Sequence, residues 1–393
     1  MSEGLYKKYC CGCGLCEAIK VAELKEDDAG FLFPEETKTE FNDFCRSVCP
    51  ASGYQMKEYS KNIWGKLNSI CLAYATDEKL RFEASSGGAI TAICCYLLEH
   101  NVVDGIIQVM ADPQNPIVTI SVCSTTCDEL KSRCGSRYTS SSPLRNIFSL
   151  LSNGKTYAFV GKPCDVTALR NFAEQNNTIK KCIKVYISFF CAGAPSKYAN
   201  IELLKQLGTN IDSCITLKYR GNGWPGYATA VDDKNNIYKM EYEKAWGKIL
   251  GRDIRPICRF CADGIGEMAD ISCGDAWYLD EMEKPTFQEG TGRNVVFART
   301  LIGDEIVKSA EKEGYIKTEE YSDWKYQLDH IQKYQLQRRS SMKDTVLAMR
   351  LFGKMVPKYD DKILSAYAKE AGGKERFKRF AGTVKRIMKG KIH

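Results

Sequence analysis

The sequence predicts an α/β fold, with a mixed α+β arrangement as the alternative, between a small cysteine-rich N-terminal segment and a helical, basic C-terminal tail. Three observations lead there. Apolar runs at Tyr157–Val160 and Ile183–Phe190 each hand over to a turn and then a helical pattern, as strands of a parallel sheet do. Cysteines crowd the first fifty residues, ahead of any long apolar run. From Gln332 to the end, 17 Lys and Arg stand against 5 Asp and Glu, a net +12 in a chain whose total is +7, so the earlier residues sum to −5. The expected divisions are residues 1–60, 61–315 and 316–393, the first boundary falling between Glu58 and Leu67.

A chain of 393 residues, 44% hydrophobic, can bury a sizeable core. Its N-terminus lacks the apolar stretch of a signal peptide, and Ala89–Leu98 is too short to span a bilayer, so a cytoplasmic protein is expected. Nineteen cysteines in that reducing compartment point to metal or redox chemistry rather than structural disulfides. Only three histidines occur, His100, His330 and His393, in no ligand spacing, which argues against histidine-rich zinc sites and a Ser-His-Asp mechanism. With the positive charge confined to the tail, no nucleic-acid partner is expected.

The first element is C-x2-C-x2-C at Cys10, Cys13 and Cys16, completed by Cys49-Pro50, the C-P ending that bacterial ferredoxins use for a remote ligand. In two-cluster ferredoxins the fourth cysteine of each motif serves the other cluster. Here Lys20, Thr39 and Asn42 stand where three ligands of a second cluster would be, so one ferredoxin-like 4Fe-4S centre on Cys10, Cys13, Cys16 and Cys49 is predicted. Cys45 is then a remnant and Cys11 a bystander; a structural zinc site is the alternative. Gly12 and Gly14 suit a backbone wrapped tightly round a cluster.

In the α/β core, Cys164 follows the first strand and Cys191 the second, each on a strand-to-helix turn where α/β proteins place ligands. The helix after Cys164 is expected from near Val166. Much later comes Cys258-x2-Cys261. A second 4Fe-4S cluster on Cys164, Cys191, Cys258 and Cys261 uses each of these once. The alternative makes the first two small buried hydrophobes and the last two a redox dithiol or half a zinc site.

Two segments could cradle a phosphate-bearing cofactor. Ser85-Ser86-Gly87-Gly88 opens an apolar helix from about Ala89, whose amides and dipole suit a pyrophosphate. Gly135–Pro143, rich in hydroxyls and holding Ser136 and Arg137, leads into a predicted helix with Pro143 near its first position. Either could be a plain helix cap. Gly221-Asn-Gly223-Trp-Pro-Gly226 matches a dinucleotide fingerprint by letter but precedes a strand-like run, so it is rejected.

Over roughly residues 8 to 305 the chain resembles the beta-subunit family of coenzyme F-420 hydrogenase and dehydrogenase. The matching pieces are Cys10–Cys16, Ser85–Gly88, Gly135–Tyr138, Val160–Cys164, Cys191–Gly193, Tyr219-Arg220 with Gly223-Trp224, Cys258-x2-Cys261 and Ala269–Asp275. The resemblance implies FAD, 4Fe-4S clusters as relays, and electron or hydride exchange with a deazaflavin such as coenzyme F-420, a ferredoxin or an organic small-molecule substrate. It implies that Ser85, Ser86, Gly87, Gly88, Thr91, Ser136, Arg137 and Tyr138 contact FAD, that Lys162 faces the flavin or its phosphates, and that Asp270 and Asp275 shape the pocket. Lys162, Cys134 and Cys273 depart from the family pattern.

The tail from Glu375 to His393 spaces Phe377, Phe380, Ala381, Val384, Ile387 and Met388 as a basic amphipathic helix, fit either for peripheral contact with an anionic membrane or for packing on its own core. The expectation as a whole is a cytoplasmic iron-sulfur flavoprotein oxidoreductase with two 4Fe-4S clusters and FAD. The other readings are a non-catalytic electron-transfer subunit of a larger complex and a zinc-stabilised binding protein. No catalytic acid is assigned.

Overall fold

Strand after strand in the middle of the chain alternates between two apolar layers, and that period of two builds the molecule. In the computed structural model, which describes residues 4–53, 56, 58–152 and 154–390, Ile106, Ala158, Val296 and Ala298 face one buried layer. Their neighbours Ile107, Phe159, Val295 and Phe297 face the other.

In chain order the strands are β1 (Ala22–Glu26), β2 (Leu32–Glu36), β3 (Ser69–Ala75), β4 (Gly105–Asp112), β5 (Asn115–Ser124), β6 (Tyr157–Gly161), β7 (Ile183–Phe189), β8 (Cys214–Lys218), β9 (Tyr227–Asp232), β10 (Ile237–Glu241), β11 (Ile271–Asp275), β12 (Asn294–Ala298) and β13 (Ile316–Glu319). Eight form one sheet in the order β13-β3-β12-β11-β7-β6-β4-β5. Its heart, β11-β7-β6-β4, is parallel, and both flanks are antiparallel. The expected α/β class holds, in its mixed form. β1 and β2 make a hairpin beside the N-terminal cysteines, and β8–β10 a small separate sheet.

Parallel neighbours need a helical crossover. Between β6 and β7 it is the helix Pro163–Ala173, followed by Asn177–Cys182. Pro163 stands in its first turn, where a missing N–H costs nothing. Lys162 N donates to the Asp165 carboxylate at 3.1 Å across that turn. The helix thus starts three residues before Val166 and takes Cys164 into its first turn. Pro143 does not open a helix: 143–146 form a turn, and the helix Ile147–Leu150 is one turn long. The loop is instead held by Leu144 N, which donates to Cys13 O at 2.8 Å.

At the other edge, β13 pairs antiparallel with β3, so the sheet runs past residue 315, the expected end of the core. Beyond it lie the helices Trp324–Ile331, Lys333–Ser340, Met342–Leu351, Asp361–Tyr367 and Gly373–Met388. The last helix packs on the body through Thr383 and Ile387, through the Arg376–Asp344 pair at 2.8 Å and through Arg379, which donates to Gln337 O. Phe377 and Met388 of the predicted apolar face stay exposed, and residues 391–393 lie outside the described residues. Among the described residues no helix is long and apolar enough to cross a membrane.

Candidate redox site

The N-terminal motif folds as a loop closed by Gly12 and Gly14, both in the left-handed region at φ +77° and +86°. A side chain on Gly12 would meet the Arg255 guanidinium, and one on Gly14 the backbone of Arg145. The Gly12 amide donates to Cys10 Sγ at 3.2 Å, the type of contact that tunes a cluster sulfur. Cys49 joins them from the C-terminal end of the helix Phe41–Val48. Burial pushes the Cys10 thiol up to about 12, with Arg255 pulling down and Cys11 and Cys49 adding to the rise. Burial also raises Cys16, reinforced by Cys10 and Cys49. The Cys13 thiol is raised first by its hydrogen bond with Cys11, then by burial and Cys16. Cys10, Cys16 and Cys49 thus lie near enough to raise one another, and Cys49 also shares a hydrogen bond with Cys45.

The later cysteines converge as well. Because β6 and β7 are parallel neighbours, their C-terminal ends bring Cys164 and Cys191 to the same edge of the sheet. Cys258 and Cys261 arrive on the short helix Pro256–Phe260 and the residue after it. All four line one narrow space of about 30 Å³, together with Cys11, Lys162, Gly193, Ala194, Ile257, Asp263 and Arg338. Ala194 N donates to Cys258 Sγ at 3.4 Å. Burial pushes Cys191 and Cys261 up to about 11 and raises Cys258. Thiols so placed lose their protons most readily to a compensating positive centre, as on binding a metal. Among the described residues no three Cys, His, Asp or Glu side chains are drawn tightly enough to grip a single metal ion.

Beside this space opens a cavity of about 520 Å³, a size typical of cofactor sites. Ser85, Ser86, Gly88, Thr91, Ser136, Arg137, Tyr138 and Lys162 line it; Gly87 does not, being packed against Arg293 and Asn294 behind the turn. The two hydroxyl-rich segments, fifty residues apart, meet here: Ser136 N donates to Ser85 Oγ at 2.6 Å. Arg137 turns its guanidinium outward, donating to Leu217 O at 2.9 Å and to Pro116 O, and leaves its buried Nε without a partner. Lys162 Nζ spans Asp165 at 2.7 Å and Ser141 at 2.6 Å. Its ammonium is held charged by Asp165 and Cys164 against the opposing effect of burial. Asp275 lines the cavity and pairs with Arg220 at 2.9 Å, whereas Asp270 lies outside it, accepting from Tyr186 N at 2.8 Å and pairing with Arg170.

Sequence reasoning passes over several contributors. Cys11 lies within hydrogen-bonding reach of both Cys13 and Cys164, so it stands between the two sulfur groups. Arg255 is 1% exposed and donates to Cys10 O, Leu32 O and Ser140 Oγ. The aromatic wall of Tyr242, Trp246, Trp277 and Phe287 completes the cavity's far side. Only the position of Arg255 three residues before Cys258 could have hinted at its place. Lys162, Cys191, Gly193 and Ala194 line both spaces, so the sulfur group and the cavity share a wall.

Comparison with known proteins agrees with this architecture. The family model for the N-terminal part of the coenzyme F420 hydrogenase/dehydrogenase beta subunit matches residues 70–149, and the model for the C-terminal part of that same subunit matches residues 154–323. The chain is 26% identical over 312 residues to the coenzyme F420 hydrogenase subunit beta of Methanococcus voltae, covering 75% of this chain and 99% of that protein. It is 26% identical over 255 residues to the F420-dependent formate dehydrogenase subunit beta of Methanocaldococcus jannaschii, covering 64% of this chain and 62% of that one. A chain of the F420-reducing NiFe hydrogenase complex from Methanosarcina barkeri shares the fold at a TM-score of 0.59 and 22% identity, over 75% of this chain and 97% of its own length.

Proposed function

The chain belongs to the coenzyme F420 hydrogenase/dehydrogenase beta-subunit family, and from that premise we propose that it is a cytoplasmic iron-sulfur flavoprotein moving electrons between two 4Fe-4S clusters, FAD and a redox partner. Relatives in the family are named as subunits of oxidoreductases. The observation that carries the reading is the shared wall: four cysteines from distant parts of the chain line a space that adjoins a cofactor-sized cavity through Lys162, Cys191, Gly193 and Ala194.

In this reading Cys10, Cys13, Cys16 and Cys49 hold one cluster and Cys164, Cys191, Cys258 and Cys261 the other, with Cys11 between. The clusters supply single electrons and the flavin couples them to two-electron chemistry. Ser85, Ser86, Gly88, Thr91 and Ser136 offer hydroxyl and amide donors to a pyrophosphate, and Arg137 adds its free Nε. Tyr138 is joined to the aromatic wall through Trp246 at 4.9 Å. Lys162, between cavity and sulfurs, keeps a positive charge where electrons cross. The partner is a deazaflavin, a ferredoxin or an organic substrate docking against the aromatic wall.

Anaerobic purification tests this: flavin absorbance near about 450 nm and about eight iron atoms per chain are expected. A colourless protein carrying zinc or no metal would end the proposal. A second reading, an electron-transfer subunit without turnover of its own, is favoured by the subunit names of the relatives. Reduction of F420 or of ferredoxin by the isolated protein separates the two.

A further inference from the structure

We infer that Arg338 is a positioning residue for the second sulfur site, a fixed cation reaching in from the C-terminal helices to raise the reduction potential of the cluster held there. The inference rests on the proposed cluster ligation by Cys164, Cys191, Cys258 and Cys261. Arg338 lies in the helix Lys333–Ser340, beyond residue 323 where the family match ends.

Two independent features show that its place is built. Its guanidinium lines the same narrow space as the four cysteines. Nη2 donates to Cys191 O at 2.8 Å and to Gln335 Oε1 at 2.7 Å, while Gln335 Nε2 donates to the same Cys191 carbonyl at 3.1 Å. Nε is buried and has no partner. An unpaired buried donor on a residue that lines the cysteines' space can serve a ligand held there, because sulfur ligands and cluster sulfides accept hydrogen bonds. The second feature is Gly264. A side chain there would collide with Arg338 Nη2 and with Gln335, so glycine at this position is what leaves room for the guanidinium. The Gly264 carbonyl in turn accepts from Cys191 N at 2.8 Å, tying the arginine's seat to the ligand loop.

A cluster on four thiolates is net negative and gains one more negative charge on reduction. A cation held at fixed distance in a poorly solvated site therefore favours the reduced state. Arginine suits the task because it keeps its charge when removed from water. Arg255, three residues before Cys258, donates instead to the carbonyl of Cys10 at the first site.

The test is an EPR-monitored redox titration of the anaerobically purified full-length protein and its Arg338→Gln and Arg338→Lys variants, with iron content measured alongside. Arg338→Gln should keep the iron of the parent and lower the midpoint of one cluster signal. The expected change is about tenfold in the reduced-to-oxidised ratio at a given potential, about 59 mV for one electron. The other signal should stay fixed as an internal reference, and Arg338→Lys should recover most of the shift. Loss of iron from Arg338→Gln but not from Arg338→Lys would equally support a role for the charge. The inference is overturned if both variants keep the parent's midpoints, if both shift alike, or if both lose the cluster. A parent protein without iron would instead defeat the cluster reading itself.

Discussion

Replacing Arg339 with Met should cost the fold about 3–5 kcal/mol. Arg339 is completely buried, and its guanidinium pairs with Glu267, whose side chain is 2% exposed, donates to Ala262 O at 2.9 Å, and approaches Asp263 at 3.9 Å. Glu267 also accepts from Tyr367 OH at 2.9 Å and Ser60 N at 3.1 Å, so three distant parts of the chain meet on one carboxylate. Methionine would fill the space of the arginine stem but leave Glu267 charged, buried and without its cation, which sets the size of the penalty. Removing both charges, as Arg339→Met with Glu267→Gln, should recover part of the loss, giving a coupling of about 1–3 kcal/mol. The assay is urea unfolding of the apo-protein under reducing conditions, followed by circular dichroism. A single-variant cost below about 1 kcal/mol, or a double variant as damaged as the sum of its parts, would refute the argument.

Cys258→Ser should lower the iron content from about eight to about four atoms per chain while sparing the N-terminal cluster, read by iron analysis and EPR. Gly12→Ala, forced to hold a φ of +77° against Arg255, should fold with a loss of at least about 1 kcal/mol and lose the first cluster selectively. Ser85→Ala leaves Ser136 N without its acceptor and should weaken flavin retention about tenfold in equilibrium dialysis, with iron unchanged. Chains ending at Gly372 should unfold at lower denaturant than the full chain, because the Arg376–Asp344 pair and the buried Ile387 are gone. Both should stay equally free of anionic vesicles in flotation.

Much of the candidate site is legible because its signals are local. The Cys10–Cys16 and Cys258–Cys261 spacings and the apolar runs of β6 and β7 are each readable within one short segment, whereas the helix expected from near Val166 opens at Pro163. The helix predicted at Pro143 does not form: residues 143–146 make a turn, and Leu144 N donates to Cys13 O, which ties the loop to the N-terminal motif. β13 reads as part of the tail because its pairing partner, β3, lies more than two hundred residues earlier, and a four-residue strand has little pattern of its own. Arg338 and Arg339 read as ordinary basic residues of a charged tail, since nothing in their neighbourhood announces that they face buried carbonyls and carboxylates. Cys11, between Cys10 and Cys13, can be ranked only once its side chain is seen beside Cys164. The tail helix has the expected period, and Ile387 of its apolar face is buried, but Thr383 is buried with it while Phe377 and Met388 stay exposed.

Leu5, Tyr9 and Val48 share one apolar cluster with Met349, Leu364 and Ile387. The first group is synthesised well ahead of the second. The first cysteines therefore emerge long before the residues that will cover their surroundings, and the nascent chain must keep those early aromatic and aliphatic side chains out of trouble until its final helices arrive. Until then Cys10, Cys11 and Cys45, buried in the finished fold, stand open to oxidation.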